Sequence, residues 1–436
     1  MAGSSFTPSG NVTLYAKWDT VYTVTFNANG GSGTIPAQSV SPGSAITLPS
    51  GSGLTRNGFI FDGWNTNASG TGTSYAAGSS YTPIADTTLY VKWDNEPITA
   101  IGANLTEKLD WLQKNAESHY VYLLEVSTDE NIASHTLEYS GAINITVILR
   151  GIGANRTIRL SSDAGRIFTV NSNVTLVLDN NISLQGFPLN TNSVVYINGG
   201  TFKMNAGSTI IGNLRGINTD SAGGGVYVNS GIFEMTGGTI SGNTANSGGG
   251  VYMKGGNFTM SGGTISNNTT SDGGGVYMDG GTFTMSGGTI SGNSSGGNAG
   301  MARVGSNVFF TFYGNGGNWS MIYAGGSSES GNSGGGGVAM NGGTFNMRGG
   351  TIMGNTAFGS DVYGGGVLVY SGTFNKTGGT ITGYNSDQSN GNVVRDDSGT
   401  IARRGHAVYV SATRRKETTA GPGVNLSSDN STGWDN

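Results

Sequence analysis

Three short motifs hold residue types that can cleave a polymer: Asn218-Thr219-Asp220, the acidic pair Asp396-Asp397, and Arg404-Gly405-His406. Two carboxyl groups held on one face are what acid–base hydrolysis of a glycosidic bond requires. The spacing speaks against that use. Asp220 lies far from the acidic pair, and the repetitive segment between them supplies almost no carboxylates. His406 stands where other copies of the same pattern carry a turn glycine, which makes it a structural position. The expectation is a chain with no catalytic residues. No acidic loop has the spacing of a calcium site, and three histidines without any cysteine make no zinc set, so neither a metal nor a cofactor is expected.

Aromatic residues are better candidates for ligand contact. Tyr227, Tyr252 and Tyr277 recur at a fixed interval, and Phe310, Phe312, Tyr313, Trp319 and Tyr323 cluster in one segment. An exposed tyrosine row can stack on sugar rings or on a partner peptide. Its competing role is a surface ladder that strengthens strand pairing through cross-strand contacts. The cluster falls in an insertion over residues 294–333, since Val276 and Val338 are 62 residues apart, 37 more than the interval elsewhere. Insertions in repeat proteins project from one face and often carry binding; the alternative is an irregular coil over residues 308–313.

What positions these residues is a repeat. Blocks of 25 residues start at Gly223, Gly248 and Gly273, and degenerate copies start at Gly335 and Gly364. Each block holds three short runs of strand formers separated by glycine-rich turns. Alternation along each run sends one set of side chains inward. That set persists as three columns. Val226, Val251, Val276, Val338 and Val367 form one; Phe233, Phe258, Phe283, Phe345 and Phe374 form the second; Ile240, Ile265, Ile290, Ile352 and Ile381 form the third. Columns of like residues arise when one coil of chain lies on the next, about 4.8 Å away. The fold expected is all-β, a right-handed parallel β-helix over residues 131–412. Asn243, Asn268, Asn293 and Asn355 share one turn position and are read as a ladder whose amides satisfy buried backbone groups.

Composition agrees with this architecture. Glycine is 79 of 436 residues, but it is periodic and interleaved with β-branched and aromatic residues, so it marks turns rather than disorder. Charged residues make up 11%, and the net charge of −5 without a basic stripe argues against nucleic acid. No apolar run reaches membrane-spanning length. With no cysteine, disulfides and thiolate chemistry do not apply.

The N-terminal part repeats on a longer scale. Phe6–Asp19 matches Tyr81–Asp94 at a displacement of 75 residues, so residues 1–19 read as the end of a preceding unit and residues 20–94 as a complete one. The pieces NANGGSG, LTRNGFIFDGW and TLYVKWD cover its start, middle and end. They closely resemble the B-repeat of internalin-type surface proteins, also called the Listeria–Bacteroides repeat. The resemblance implies a small β-grasp-like domain serving as spacer or interaction module on exported bacterial proteins. Trp64, Trp93, Phe59 and Phe61 are expected to form its core. The chain thus reads as a fragment without its export signal, located at the bacterial cell surface.

Between the two regions, residues 95–130 hold a linker and a helix. Asn104 and Glu107 form a capping box, and Leu105, Leu109, Leu112 and Ala116 keep helical spacing, predicting a helix over residues 105–117 that covers the solenoid's first coil. Residues 413–436 read as a polar tail. The coils, through ISGNTANSGGGVYM and its neighbours, resemble polymorphic outer-membrane protein repeats and pectate-lyase-like β-helices. Ile240 replaces the usual Phe, and the membrane barrel of that family has no counterpart here. The polygalacturonase motifs are only echoed: GHA replaces GHG and RIK is absent. Together these readings imply a non-catalytic, monomeric adhesin whose ligand is a glycan or a surface or matrix protein. The alternatives are a polysaccharide-binding or polysaccharide-degrading module and an envelope spacer.

Overall fold

The computed structural model describes residues 7–410 except 14, 17, 163–164, 189, 191, 214–221, 297–309, 315–316, 322–333, 360–361, 385–386, 397 and 403–405. The chain divides into two units, Met1–Pro97 and Ile98–Asn436.

In the first unit, alternating residues build a five-stranded sheet in the order Gln38–Val40, Tyr22–Asn27, Thr87–Asn95, Phe59–Asn65, Ser74–Tyr75. Its central pair is parallel, with Phe26 opposite Leu89, and the others are antiparallel. Val24, Phe26, Leu89 and Val91 close on Trp64, which is fully buried. The Trp64 indole donates to the Pro49 carbonyl at 2.9 Å and Trp93 to Ala28 at 2.8 Å, giving each polar ring nitrogen the partner that burial demands. Phe61 and Trp93 pack at the margin. Phe59, expected in the core, is not there. It pairs with Asn95 at the end of the sheet and lies half-buried 4.0 Å beneath the Arg56 guanidinium. The described residues among 7–20 contain no strand, and Tyr15 and Trp18 are 89% exposed. The same residue pattern is buried only where Tyr22–Asn27 and Phe59–Asn65 flank it.

The second unit is a parallel β-solenoid whose register is the sequence repeat. Val226, Val251, Val276, Val338, Val367 and Val408 pair in succession. The phenylalanine column stacks ring on ring, with centroids 4.4 Å apart at Phe233–Phe258 and 5.1 Å at Phe345–Phe374. Less regular coils extend it backward through Val195–Met204, Val174–Leu178 and Ile145–Gly151 to Val121–Val126. Each regular coil has a fourth strand in addition to the three expected. Thr244–Ser247, Thr269–Asp272, Ser294–Ser295, Thr356–Phe358 and Val393–Arg395 form a separate parallel sheet. These runs are short and half Thr and Ser, so no apolar alternation announces them.

Of the inserted segment, the described residues beyond 296 are 310–314 and 317–321, and the preceding coil still pairs at residues 294–295. Ser294–Ser295 still pairs with Thr356–Ala357, and Val276, Phe283 and Ile290 pair directly with Val338, Phe345 and Ile352. The coils therefore close on each other across the inserted residues, and Phe310–Gly314 and Gly317–Met321 form an antiparallel hairpin.

Inside one corner runs the asparagine ladder. The Asn243 backbone N–H and side-chain Nδ2 both donate to Asn268 Oδ1 at 3.0 Å, and Asn268 donates to Asn293 in the same way. Asn293 continues to Asn355 and Asn355 to Asn392, while Asn213 joins at the other end. Each amide also donates to a backbone carbonyl of the preceding coil, as Asn268 does to Ile240 at 3.0 Å.

The helix is Leu105–Asn115, two residues shorter than its spacing suggests, because Ala116 turns to extended geometry and the Glu117 N–H is taken by the Tyr122 hydroxyl. Asn104 Oδ1 accepts from the Glu107 N–H at 2.9 Å, and Glu107 accepts in return from Ala103. Leu105, Leu109 and Leu112 are buried in the solenoid core beside Leu124, Ile132 and Leu137, closing its first coil.

Removing one rung tests the ladder. Asn268→Ala strips the shared acceptor from two buried donors of Asn243, so unfolding free energy should fall by about 1–3 kcal/mol or more. Ser266→Ala, on the outside of the same coil, should stay within about 0.5 kcal/mol; urea titration followed by circular dichroism separates the two.

Candidate ligand-binding surface

Strands of the Val-Tyr-Met type send their first and third residues inward and the middle one outward. Successive pairing makes that middle position a column: Thr136, Thr169, Tyr196, Tyr227, Tyr252 and Tyr277, then Ala339 and Leu368, which are buried, and Tyr409. The tyrosine row therefore begins one coil earlier than the 25-residue interval indicates. Val194-Val195-Tyr196-Ile197 carries the same pattern, but the distance to Tyr227 is longer than the interval.

The rings pair with one another. Centroids are 5.1 Å apart for Tyr196–Tyr227, 4.8 Å for Tyr227–Tyr252 and 5.4 Å for Tyr252–Tyr277, the last pair nearly coplanar in orientation at 12°. The Arg166 guanidinium sits 4.1 Å from the Tyr196 ring at the near end. Ring faces are thus occupied along the row, and what the half-buried tyrosines present outward is their edges and hydroxyls. This geometry favours the ladder role over stacking on sugars.

Burial raises the Tyr227, Tyr252 and Tyr277 phenols above their ordinary value, and the nearby Asp279 carboxylate adds to the rise. The Tyr252 hydroxyl also donates to Asp279 at 3.4 Å. Tyr277, with Asp272 beside it as well, is pushed up to about 12.

Two residues further along each strand, past the next inward residue, a second outward column is polar. Glu138, Asn171, Asn198 and Asn229 are joined head to tail by side-chain hydrogen bonds of 2.7, 3.1 and 3.0 Å. Later in the chain, Asn341 donates to Asp279 at 3.2 Å. This polar row escaped the sequence reading, because its members are 33, 27 and 31 residues apart rather than 25.

In the insertion hairpin, Phe310 pairs with Met321, Phe312 with Trp319 and Tyr313 with Asn318. Tyr323 lies outside the described residues. The hairpin enters the chain between the coil of Tyr277, where the tyrosine row ends, and the coil of Ala339.

Of the hydrolase-like motifs, residues 218–220, 397 and 404–405 lie outside the described residues. His406 is fully buried, its Nδ1 accepting from the Val394 N–H at 3.0 Å. Its carbonyl accepts where the carbonyl of a turn glycine accepts in earlier coils, which places it in the glycine column. One oxygen of Asp396 accepts from Ser398 and Thr400 in its own turn. Among the described residues no cluster of His, Asp and Glu can hold a metal ion.

The second unit, a parallel solenoid with two outward columns on one side, is a repeat scaffold. Known proteins place the chain's first unit: residues 22–92 match the Listeria-Bacteroides repeat domain, which occurs in surface proteins. A protein of Evansella cellulosilytica provisionally named a membrane protein is 36% identical over 89 residues, 20% of this chain and 13% of that protein. The matched segment thus spans a small part of that relative. No solved structure matches. Among the described residues no helix is long and apolar enough to cross a membrane.

The raised phenols fix an alkaline response. The folded chain keeps protons that the unfolded chain releases near pH 10.0, so this contribution to stability is complete below that pH and is lost as pH rises to about 12. Unfolding midpoints measured across that window should fall, and Tyr277→Phe should flatten the fall.

Proposed function

We propose that this protein is a non-catalytic adhesin of the bacterial cell surface, monomeric, in which a Listeria-Bacteroides repeat leads into a solenoid that holds glycans or surface and matrix proteins by extended shallow contacts. The observation that carries the reading is the insertion. The coils pair directly across it, so stacking does not require it, and its described residues form a hairpin with Phe310, Phe312, Tyr313 and Trp319 in its strands. A segment dispensable for stacking is a natural place for recognition. The repeat domain supports a surface location. The buried ring of His406 supports a non-catalytic role, because it is not placed to exchange a proton with a polymer outside, and one oxygen of Asp396 is taken up by its own turn.

The occupied ring faces of the tyrosine row favour one competitor, an envelope spacer that binds nothing. A glycan and matrix-protein array separates the two, using the full chain beside a variant lacking residues 300–325. Specific binding that disappears in the deletion is expected. Binding by neither protein would leave the spacer, and equal binding by both would remove the hairpin as the site.

A further inference from the structure

An open groove of about 870 Å³ lies where the last turns of the helix meet the first coils. Gln113 lines it from the helix, and Thr136, Glu138, Asn171, Ser172 and Asn198 line it from the coils. Its volume falls in the ordinary range for a small-ligand site, about 300–1,000 Å³. Its chemistry does not, because the lining is mainly hydroxyls and amides rather than apolar side chains.

The polar row described above forms one wall, and its members are held in place before any ligand arrives. Asn171 gives one amide hydrogen to Glu138 Oε2, and Asn198 gives one to Asn171 Oδ1. A carboxamide has two hydrogens and two acceptor sites. In Asn171 and Asn198 the row uses one hydrogen and one acceptor site, leaving one donor and one acceptor on each. A donor beside an acceptor, repeated at the spacing of stacked strands, complements a chain of hydroxyl groups. Glu138 is the one charged residue lining the groove, and no Lys or Arg lines it to offset an acidic ligand.

We propose that this groove binds an uncharged, hydroxyl-rich glycan chain running along the solenoid axis, with Asn171 and Asn198 as its principal hydrogen-bonding residues and Glu138 excluding acidic polymers. The inference rests on the reading of the solenoid as a binding scaffold but places a contact at the helix-capped end, away from the hairpin. It also commits to neutral sugars, whereas a pectin-like ligand would be a polyanion.

The test is calorimetric titration of the full chain with cellohexaose, laminarihexaose, mannohexaose and hexagalacturonate. At least one neutral hexasaccharide should bind and hexagalacturonate should not. Asn171→Ala and Asn198→Ala should each weaken that binding by about tenfold, the scale of one lost hydrogen bond. Both side chains are at the surface, so melting midpoints should hold and exclude misfolding. Glu138→Gln should keep the neutral sugar and admit hexagalacturonate. Deletion of residues 300–325 should leave the affinity unchanged. The proposal is overturned if no neutral hexamer binds, if hexagalacturonate binds the unmodified chain as tightly, or if the asparagine variants bind normally. Binding that disappears only with the hairpin would also overturn it, while leaving the adhesin reading intact.

Discussion

Everything in the larger unit depends on one constraint: each coil must sit on the next in register, residue over like residue. Parallel pairing satisfies the backbone of a coil only through its neighbours, and a single coil has no second layer of its own. The interior turns that dependence into stability. Every phenylalanine in the column contributes roughly 1.5–3 kcal/mol by burial. The asparagine ladder adds directionality, because Asn268 must lie over Asn293 for one oxygen to serve two donors. A slip of one residue would put phenylalanines outside and leave both amide hydrogens buried without acceptors.

The same constraint explains the glycine content. At the triple-glycine corner the coils approach so closely that a Cβ on Gly250 would lie 2.6 Å from the Gly275 carbonyl oxygen and 2.8 Å from the Ile265 side chain. Within the regular coils no side chain fits there while another such coil follows, whereas the earlier, less regular coils carry Ile167 and Val194 at the equivalent position. In the last described coil the column reads His406-Ala407, and there the imidazole replaces a glycine and accepts from Val394. Lys376 likewise ends the methionine column of Met285 and Met347, buried but donating to the Gly379 carbonyl at 2.8 Å, with desolvation lowering its pKa. Among the described residues, a buried lysine and a buried histidine enter the interior where the column above them ends.

This also decides how much was legible in the sequence. Columns of Val, Phe, Ile and Asn over residues 223–381 read directly as register, because a 25-residue step across three copies, and the same motif in two degenerate ones, leaves one way to superpose them. The helix was legible from Asn104, Glu107 and its leucines. The fourth strand was not, since Thr269-Thr270 and Ser294-Ser295 have no apolar partner to alternate with. Tyr196, Asn213 and Asn392 were missed although they extend visible columns, because their coils have other lengths and only contact shows that they belong. The polar wall of the groove failed for the same reason. Glu138, Asn171 and Asn198 come from coils whose corners vary, so their alignment is a product of folding and not of spacing.

A periodic column largely consumes its own binding capacity. Tyrosines placed over tyrosines spend their ring faces on each other. In the inner ladder, Asn268 gives its backbone N–H and one amide hydrogen to the next copy, the other amide hydrogen to a carbonyl of the preceding coil, and its oxygen to the copy before. What remains for a ligand is found where the period breaks. One break is the helix-capped end, where unequal coils open a groove and the amides of Asn171 and Asn198 are only half used. Another is the insertion, which the stack bypasses altogether. Regular repeats supply rigidity and length, and the binding proposed above is assigned to the irregular segments that the repeats hold in place.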